Sequence, residues 1–103
     1  MSDKHEPMYV PGELLVKLGS ELLIQIKPSI PDKGSSTGAT GFGIASIDQA
    51  LRRFGVRAIF RLDNGIFLIR FPPETDLSEV KATLKSVRYV EDMDFNYLAR
   101  TMG

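Results

Sequence analysis

The sequence predicts an α+β domain in which two helices cover one face of a four-stranded antiparallel sheet. Two amphipathic helical patterns alternate with extended apolar segments along the chain. The Asp63-Asn64-Gly65 turn joins two of those segments as a tight hairpin. The chain has 103 residues, which is enough for one hydrophobic core of modest size.

The first strand is predicted at 13–18, after the turn signal Pro11-Gly12. Residues 21–26 are a near copy of that strand and follow Gly19-Ser20. Two interpretations of the repeat stay open: a hairpin or bulge around Gly19-Ser20, which we favour, and one long bulged strand. Residues 27–43 are rich in Gly, Ser and Pro and are predicted to form a flexible loop.

The first helix is predicted from apolar residues spaced three or four apart. These residues are Ile44, Ile47, Leu51 and Phe54. Ser46 and Gln49 have the spacing of a capping box at the start of this helix. Gly55 lies where the end of the helix requires a positive φ.

The second helix is predicted to begin near Asp76, with Glu79 as its capping-box partner. Its apolar stripe consists of Leu77, Val80, Leu84 and Val87. Strands are predicted at 56–62, 66–71 and 89–94. The element order is that of the ferredoxin-like split βαβ fold. This arrangement leaves one sheet face uncovered, and an uncovered apolar face usually has a partner.

The domain is predicted to span 9–97, between a disordered tail at 1–8 and a C-terminal tail at 98–103. No apolar run approaches the roughly 18–20 residues of a membrane span. The first residues are polar, so no signal peptide is visible.

The composition argues against several functions. Thirteen Lys and Arg residues balance thirteen Asp and Glu residues, which disfavours a non-specific nucleic-acid binder. The chain has no Cys, and its one His, His5, lies in the polar N-terminal stretch. Neither a catalytic triad nor a Cys-ligated metal is therefore expected. We expect a non-catalytic domain without a metal or cofactor.

An acidic cluster, Glu91, Asp92 and Asp94, lies in the last predicted strand. Carboxylates can bind a hard cation weakly. The interpretation that we favour is an acidic strand that faces solvent or a protein partner.

Four segments of the chain resemble the propeptides of subtilisin-like serine proteases. They are YVPGELLVK (9–17), RFGV (53–56), NGIFLIRF (64–71) and YVEDMDFNY (89–97). They resemble the opening strand, the end of the first helix, the third strand and the closing strand of that family. The resemblance covers roughly 9–102, with the glycine-rich loop as an insertion, and is nearest the bacterial fervidolysin- and thermitase-like branch. Phe95 departs from the pattern, since many members have Pro there.

The resemblance implies a secreted zymogen segment that acts first as an intramolecular chaperone and then as a tight-binding competitive inhibitor of its protease. In that family the sheet face docks on two surface helices of the protease, and side chains of the closing strand cap their N-termini. Here those side chains are Asp94 and Asn96.

The resemblance also implies that the C-terminal tail occupies the substrate cleft of the protease as an added strand. The residues of that tail are Leu98, Ala99, Arg100, Thr101 and Met102. Met102 would fill the primary specificity pocket and Ala99 a second pocket.

Two other functions fit the same element order. An RNA-binding domain needs a basic residue and stacking aromatics in its signature strand, but Asn64 and Ile66 stand at those positions. A ferredoxin-like module for protein interaction or ligand sensing is supported by fold analogy alone.

Overall fold

The computed structural model describes residues 9–26 and 29–97, and its element order confirms the predicted fold class. In chain order the elements are β1 (Tyr9–Leu18), α1 (Ser20–Leu23), α2 (Ala45–Leu51), β2 (Ala58–Asp63), β3 (Ile66–Arg70), α3 (Leu77–Lys85) and β4 (Val90–Tyr97). A 3₁₀ turn at Arg52–Phe54 extends α2. No helix in this described part of the chain is long and apolar enough to cross a membrane.

The four strands form one antiparallel sheet in the order β2-β3-β1-β4. The two central strands, β1 and β3, are therefore separated in sequence by α1, α2 and β2. The β2–β3 turn contains Gly65 at a φ of +84°, as the Asn-Gly turn signal predicts. This is the strand order of the ferredoxin-like split βαβ arrangement.

One face of the sheet packs against α2 and α3. Alternate residues of β1, namely Leu14, Val16 and Leu18, point to this face and are buried. The helices contribute Ile47, Leu51, Leu77, Val80 and Leu84 to the same cluster. Among the described residues this core includes no buried polar or charged side chain. Apolar burial is therefore the main source of its stability.

The start of α3 confirms Asp76 as the N-cap, whereas the carboxylate of Glu79, its predicted box partner, lies 3.4 Å from Arg53. Asp76 Oδ1 accepts the N–H groups of Ser78 (3.0 Å) and Glu79 (3.3 Å). The residue that ends the 3₁₀ turn, Gly55, has a φ of +72°, also as predicted.

The repeat at 21–26 is not a strand, so both the hairpin and the long bulged strand are wrong. Gly19 N–H donates to Tyr89 C=O at 2.8 Å, next to the end of β1. The N–H groups of Leu22 and Leu23 then donate back to Gly19 C=O, at 3.0 and 3.1 Å, which closes a helical turn. The first strand is thus the one that contains 13–18.

The capping box at Ser46 and Gln49 is also wrong. The N-cap residue of α2 is Ile44, and no side chain caps it. Instead Asp48, one turn inside the helix, accepts the N–H groups of Phe42 and Gly43, each at 2.9 Å. The chain before α2 folds back over this carboxylate.

The last strand is longer than predicted, since β4 runs from Val90 to Tyr97 rather than ending at 94. Phe95 lies opposite Leu14, and Tyr9 lies opposite Tyr97. The extra length of β1 at 9–12 provides the partner for the end of β4.

Residues 29–43 form neither helix nor strand, yet they lie along the outer edge of β2. Ile59 and Ala39 exchange two backbone hydrogen bonds, at 2.6 and 3.0 Å, and Arg61 N–H donates to Pro31 C=O at 2.7 Å. Two side chains of this segment join the core: Ile30 and Phe42. One edge of the sheet is therefore covered by the chain itself.

Candidate protein-docking face

The sheet face that points away from the helices is the candidate functional site, and we term it the bare face. Residues directly opposite one another in an antiparallel sheet point to the same side, so the strand register defines its members. They are Glu13, Leu15 and Lys17 of β1, Ala58 and Phe60 of β2, Ile66, Leu68 and Arg70 of β3, and Asp92 and Asp94 of β4. Asn96 of β4 joins them through its bond to Glu13.

An apolar row crosses the middle of the bare face. Phe60 lies opposite Leu68, Leu68 opposite Leu15, and Leu15 opposite Asp94. Phe60 and Leu68 are 4% and 0% exposed, although neither belongs to the core cluster under the helices. The Arg70 guanidinium carbon lies 5.3 Å from the centre of the Phe60 ring. Neighbouring side chains therefore shield this row, and Leu15, which is half-buried, extends it toward β4.

A polar row runs beside it and joins three strands through Glu13. Glu13 accepts hydrogen bonds from Arg70 Nε at 3.0 Å and from Asn96 Nδ2 at 2.7 Å. The Glu13 side chain is only 13% exposed, whereas that of Arg70 is 49% exposed, so the bond to Asn96 is the more buried of the two. A charge-assisted pair of this kind is stronger than a neutral one. The row fixes the positions of Arg70 and Asn96 on the face.

The two residues predicted to cap partner helices, Asp94 and Asn96, both lie on the bare face. They are two residues apart on β4, the strand at the edge of the sheet. Asp94 is exposed, and its Oδ1 accepts the N–H of Phe95 at 2.8 Å. The amide nitrogen of Asn96 is bonded to Glu13, which leaves Oδ1 as the acceptor that a partner would meet.

The predicted tail lies outside the described residues. It comprises Leu98, Ala99, Arg100, Thr101 and Met102. The described chain ends at Tyr97, the last residue of the edge strand β4.

The acidic cluster does not form a cation site in this structure. Within 9–26 and 29–97, no group of three or more His, Cys, Asp or Glu side chains converges as metal ligands would. Glu91 lies 3.9 Å from the Lys17 ammonium, whereas Asp92 and Asp94 accept backbone N–H groups of their own strand.

Sequence reasoning missed Glu13 and Arg70 as part of the site. They are 57 residues apart, and only the register of β1 with β3 brings them opposite each other. A weak signal existed, because Glu13 has the same alternation as Leu15 and Lys17 within β1.

Comparisons with protein-family models, with curated proteins and with solved structures find no match to this chain.

Proposed function

We propose that this chain is a propeptide-type inhibitor and folding assistant of a subtilisin-like serine protease. The observation that carries the proposal is the bare face, an apolar row that ends in Asp94 on an edge strand. No described helix covers that row, and the residues predicted to occupy the protease cleft follow directly in sequence. Leu15 and Ile66 remain partly exposed on this face, and exposed apolar surface beside polar residues favours a protein partner.

Docking on two surface helices of the protease fits the chemistry of the end of β4. A helix N-terminus carries unpaired N–H groups and a partial positive charge. Asp94 offers a negative carboxylate to one such end, and Asn96 Oδ1 offers a neutral acceptor to the other. Each contact is expected to contribute about 0.3–1 kcal/mol, and up to ~2 kcal/mol where it is partly buried.

Inhibition follows from the position of β4. A segment that continues from an edge strand can enter a cleft and bind there through main-chain hydrogen bonds. Once the link to the protease is cut, the tail remains as a bound product and blocks the substrate. Before the cut, the docked face stabilises the two protease helices together, which would assist folding of the protease.

The test is an inhibition assay with three forms of the chain and a purified subtilisin-type protease. The full chain is expected to inhibit competitively in the nanomolar to micromolar range. Removal of residues 98–103 is expected to abolish inhibition, whereas removal of residues 1–8, the matched control, is expected to leave it intact. Unchanged inhibition without 98–103 would contradict the tail mechanism, and absence of inhibition by the full chain would contradict the proposal.

The side chains of the bare face are less consistent with RNA binding than with a protein partner. RNA-binding domains of this strand order stack bases on aromatic side chains of the two central strands. Here the central strands present Leu15, Ile66 and Leu68, which are aliphatic. Salt-dependent binding to single-stranded oligonucleotides would favour the RNA function. If the chain is instead a ferredoxin-like module for protein interaction or ligand sensing, its binding should not depend on residues 98–103.

A further inference from the structure

One pocket on the bare face combines an apolar floor with a charged rim. Its volume is about 140 Å³, and it lies where β1, β3 and β4 meet. The lining residues are Leu15, Val16, Lys17, Ile66, Asp92, Met93 and Asp94. A cavity of roughly this size holds a group as large as benzene, so one aliphatic side chain would fit.

The rim is negative in balance. Asp92 and Asp94 contribute two carboxylates, whereas Lys17 contributes the one ammonium of the lining. That ammonium lies 3.9 Å from Glu91 Oε1, so a further carboxylate offsets its charge. A cationic group would therefore be favoured at the rim over a neutral or anionic one.

The two rim carboxylates are held in place by their own strand. Asp92 Oδ1 accepts the N–H of Met93, and Asp94 Oδ1 accepts the N–H of Phe95, each at 2.8 Å. An ionised carboxylate has about four acceptor positions, so each can accept a further donor. Because their orientation is already restricted, less side-chain entropy is lost when a partner binds.

The edges of the sheet direct a partner to the face. The outer edge of β2 is bonded to residues 31–39. Leu18 N–H donates to Gly65 C=O, so alternate residues of β1, counted from Leu18, bond to β3 and the residues between them bond to β4. Leu15 and Lys17 therefore bond to Asp94 and Asp92, and the N–H groups of Met93 and Phe95 point outward from β4. Asp92 and Asp94 accept those two donors, which makes strand addition along this part of β4 less favourable.

We infer that this pocket receives a Lys or Arg side chain from the docked partner protein. Its aliphatic stem packs on Leu15 and Ile66, and its charged end lies between Asp92 and Asp94. The identity of the partner as a protease rests on the proposed function, but the preference of the pocket for a cation does not. Asp92 is the discriminating residue, since helix capping by Asp94 and Asn96 does not use it.

The direct test is an NMR titration of the isotope-labelled full chain with n-butylammonium, and with n-butanol as the neutral probe of equal length. Butylammonium is expected to shift the amide signals of Leu15, Lys17, Ile66 and Asp94, and to do so less at raised NaCl. Butanol is expected to give weaker shifts there. Equal shifts with both probes, or no shifts localised to these residues, would overturn the inference.

A matched pair of variants tests the role of the carboxylate. Asp92→Asn keeps the acceptor for Met93 N–H but removes the charge, and is expected to weaken butylammonium binding about two- to fivefold. Glu74→Gln also removes one negative charge, but Glu74 follows the C-terminal end of β3, whereas Ile66 is at the N-terminal end. This variant is expected to leave binding unchanged. Equal affinity of Asp92→Asn and the unaltered chain would contradict a cation pocket.

The protease assay separates this inference from the proposed function. If the full chain inhibits, Asp92→Lys is expected to weaken inhibition more than Asp92→Asn does. Tail-dependent inhibition that neither variant changes would overturn the pocket and leave the proposed function standing. Cation-selective shifts without any inhibition would support the pocket and contradict the protease as its partner.

Discussion

The two faces of the sheet use the same strands for different purposes. The face under α2 and α3 is closed by an apolar cluster in which no described side chain is polar. The bare face alternates an apolar row, Phe60 to Leu15, with carboxylates and an arginine. Under the proposed function, the helix side stabilises the domain and the bare face recognises a partner.

The largest expected effect compares two isoleucines of β3 on opposite faces. Ile69 is fully buried under the helices, and Ile66 is half-buried on the bare face. Ile69→Ala is expected to lower the free energy of unfolding by about 2–5 kcal/mol. Ile66→Ala is expected to cost about 1 kcal/mol, because less apolar area leaves water there. Urea unfolding measures both, and equal losses would contradict the division between the faces.

The next largest effect is expected at Glu13, because its carboxylate accepts hydrogen bonds from residues of two other strands. Glu13→Ala leaves Arg70 and Asn96 without their shared acceptor and is expected to cost about 1–2 kcal/mol in urea unfolding, since the exposed Arg70 can bond to water instead. Glu13→Gln keeps one acceptor oxygen and is expected to lose less. A loss for Glu13→Ala no greater than for Glu13→Gln would show that the acceptor oxygen retained by Gln contributes nothing to stability.

The sequence predicted the fold where local signals and tertiary packing agree. The Asp76 cap and the Asn64-Gly65 turn are set by nearby residues and were confirmed. So was the stripe of α3 from Leu77 to Leu84, although Val87 lies beyond the end of the helix. The prediction of a strand at 21–26 was wrong because a short apolar run is compatible with either a strand or a buried helical turn. What decided it was a bond between Gly19 and Tyr89, 70 positions apart in sequence.

The candidate site was predictable only in part, because some of its contacts join residues that are far apart in sequence. Asp94 and Asn96 came from the resemblance, and their alternation in a strand places them on one face. The partners of Asn96 and the pocket at Asp92 depend on the register of β1 with β3 and β4. Register results from the packing of the whole sheet, so no short segment of sequence specifies it.

A smaller effect is expected at the cap of α3, on the helix side. Asp76→Ala removes the acceptor for the N–H groups of Ser78 and Glu79 and is expected to cost about 1 kcal/mol in the free energy of unfolding. Asp76→Ser is the matched control, since serine can accept the same bonds, and is expected to recover most of the loss. Neither variant should alter inhibition; a loss of inhibition with retained stability would place α3 in the docking surface.

The smallest effect on stability is expected at Asp94, where the effect on docking is expected to be larger. Asp94→Lys changes an exposed side chain, so the free energy of unfolding should move by no more than about 0.5 kcal/mol. Inhibition of a subtilisin-type protease should weaken about two- to fivefold, and up to roughly thirtyfold if the contact is partly buried. An unchanged inhibition constant would show that Asp94 caps no partner helix.

The most direct measurement is the footprint of a bound protease on this domain. The labelled full chain would be mixed with a subtilisin-type protease inactivated at its catalytic serine, and cross-saturation of amide signals recorded by NMR. We expect saturation of the amide signals of Leu15, Ile66, Leu68 and Asp94, and little saturation of the amide signals of α2 and α3. Saturation concentrated on the helices, with Leu15 and Leu68 unaffected, would contradict docking through the bare face.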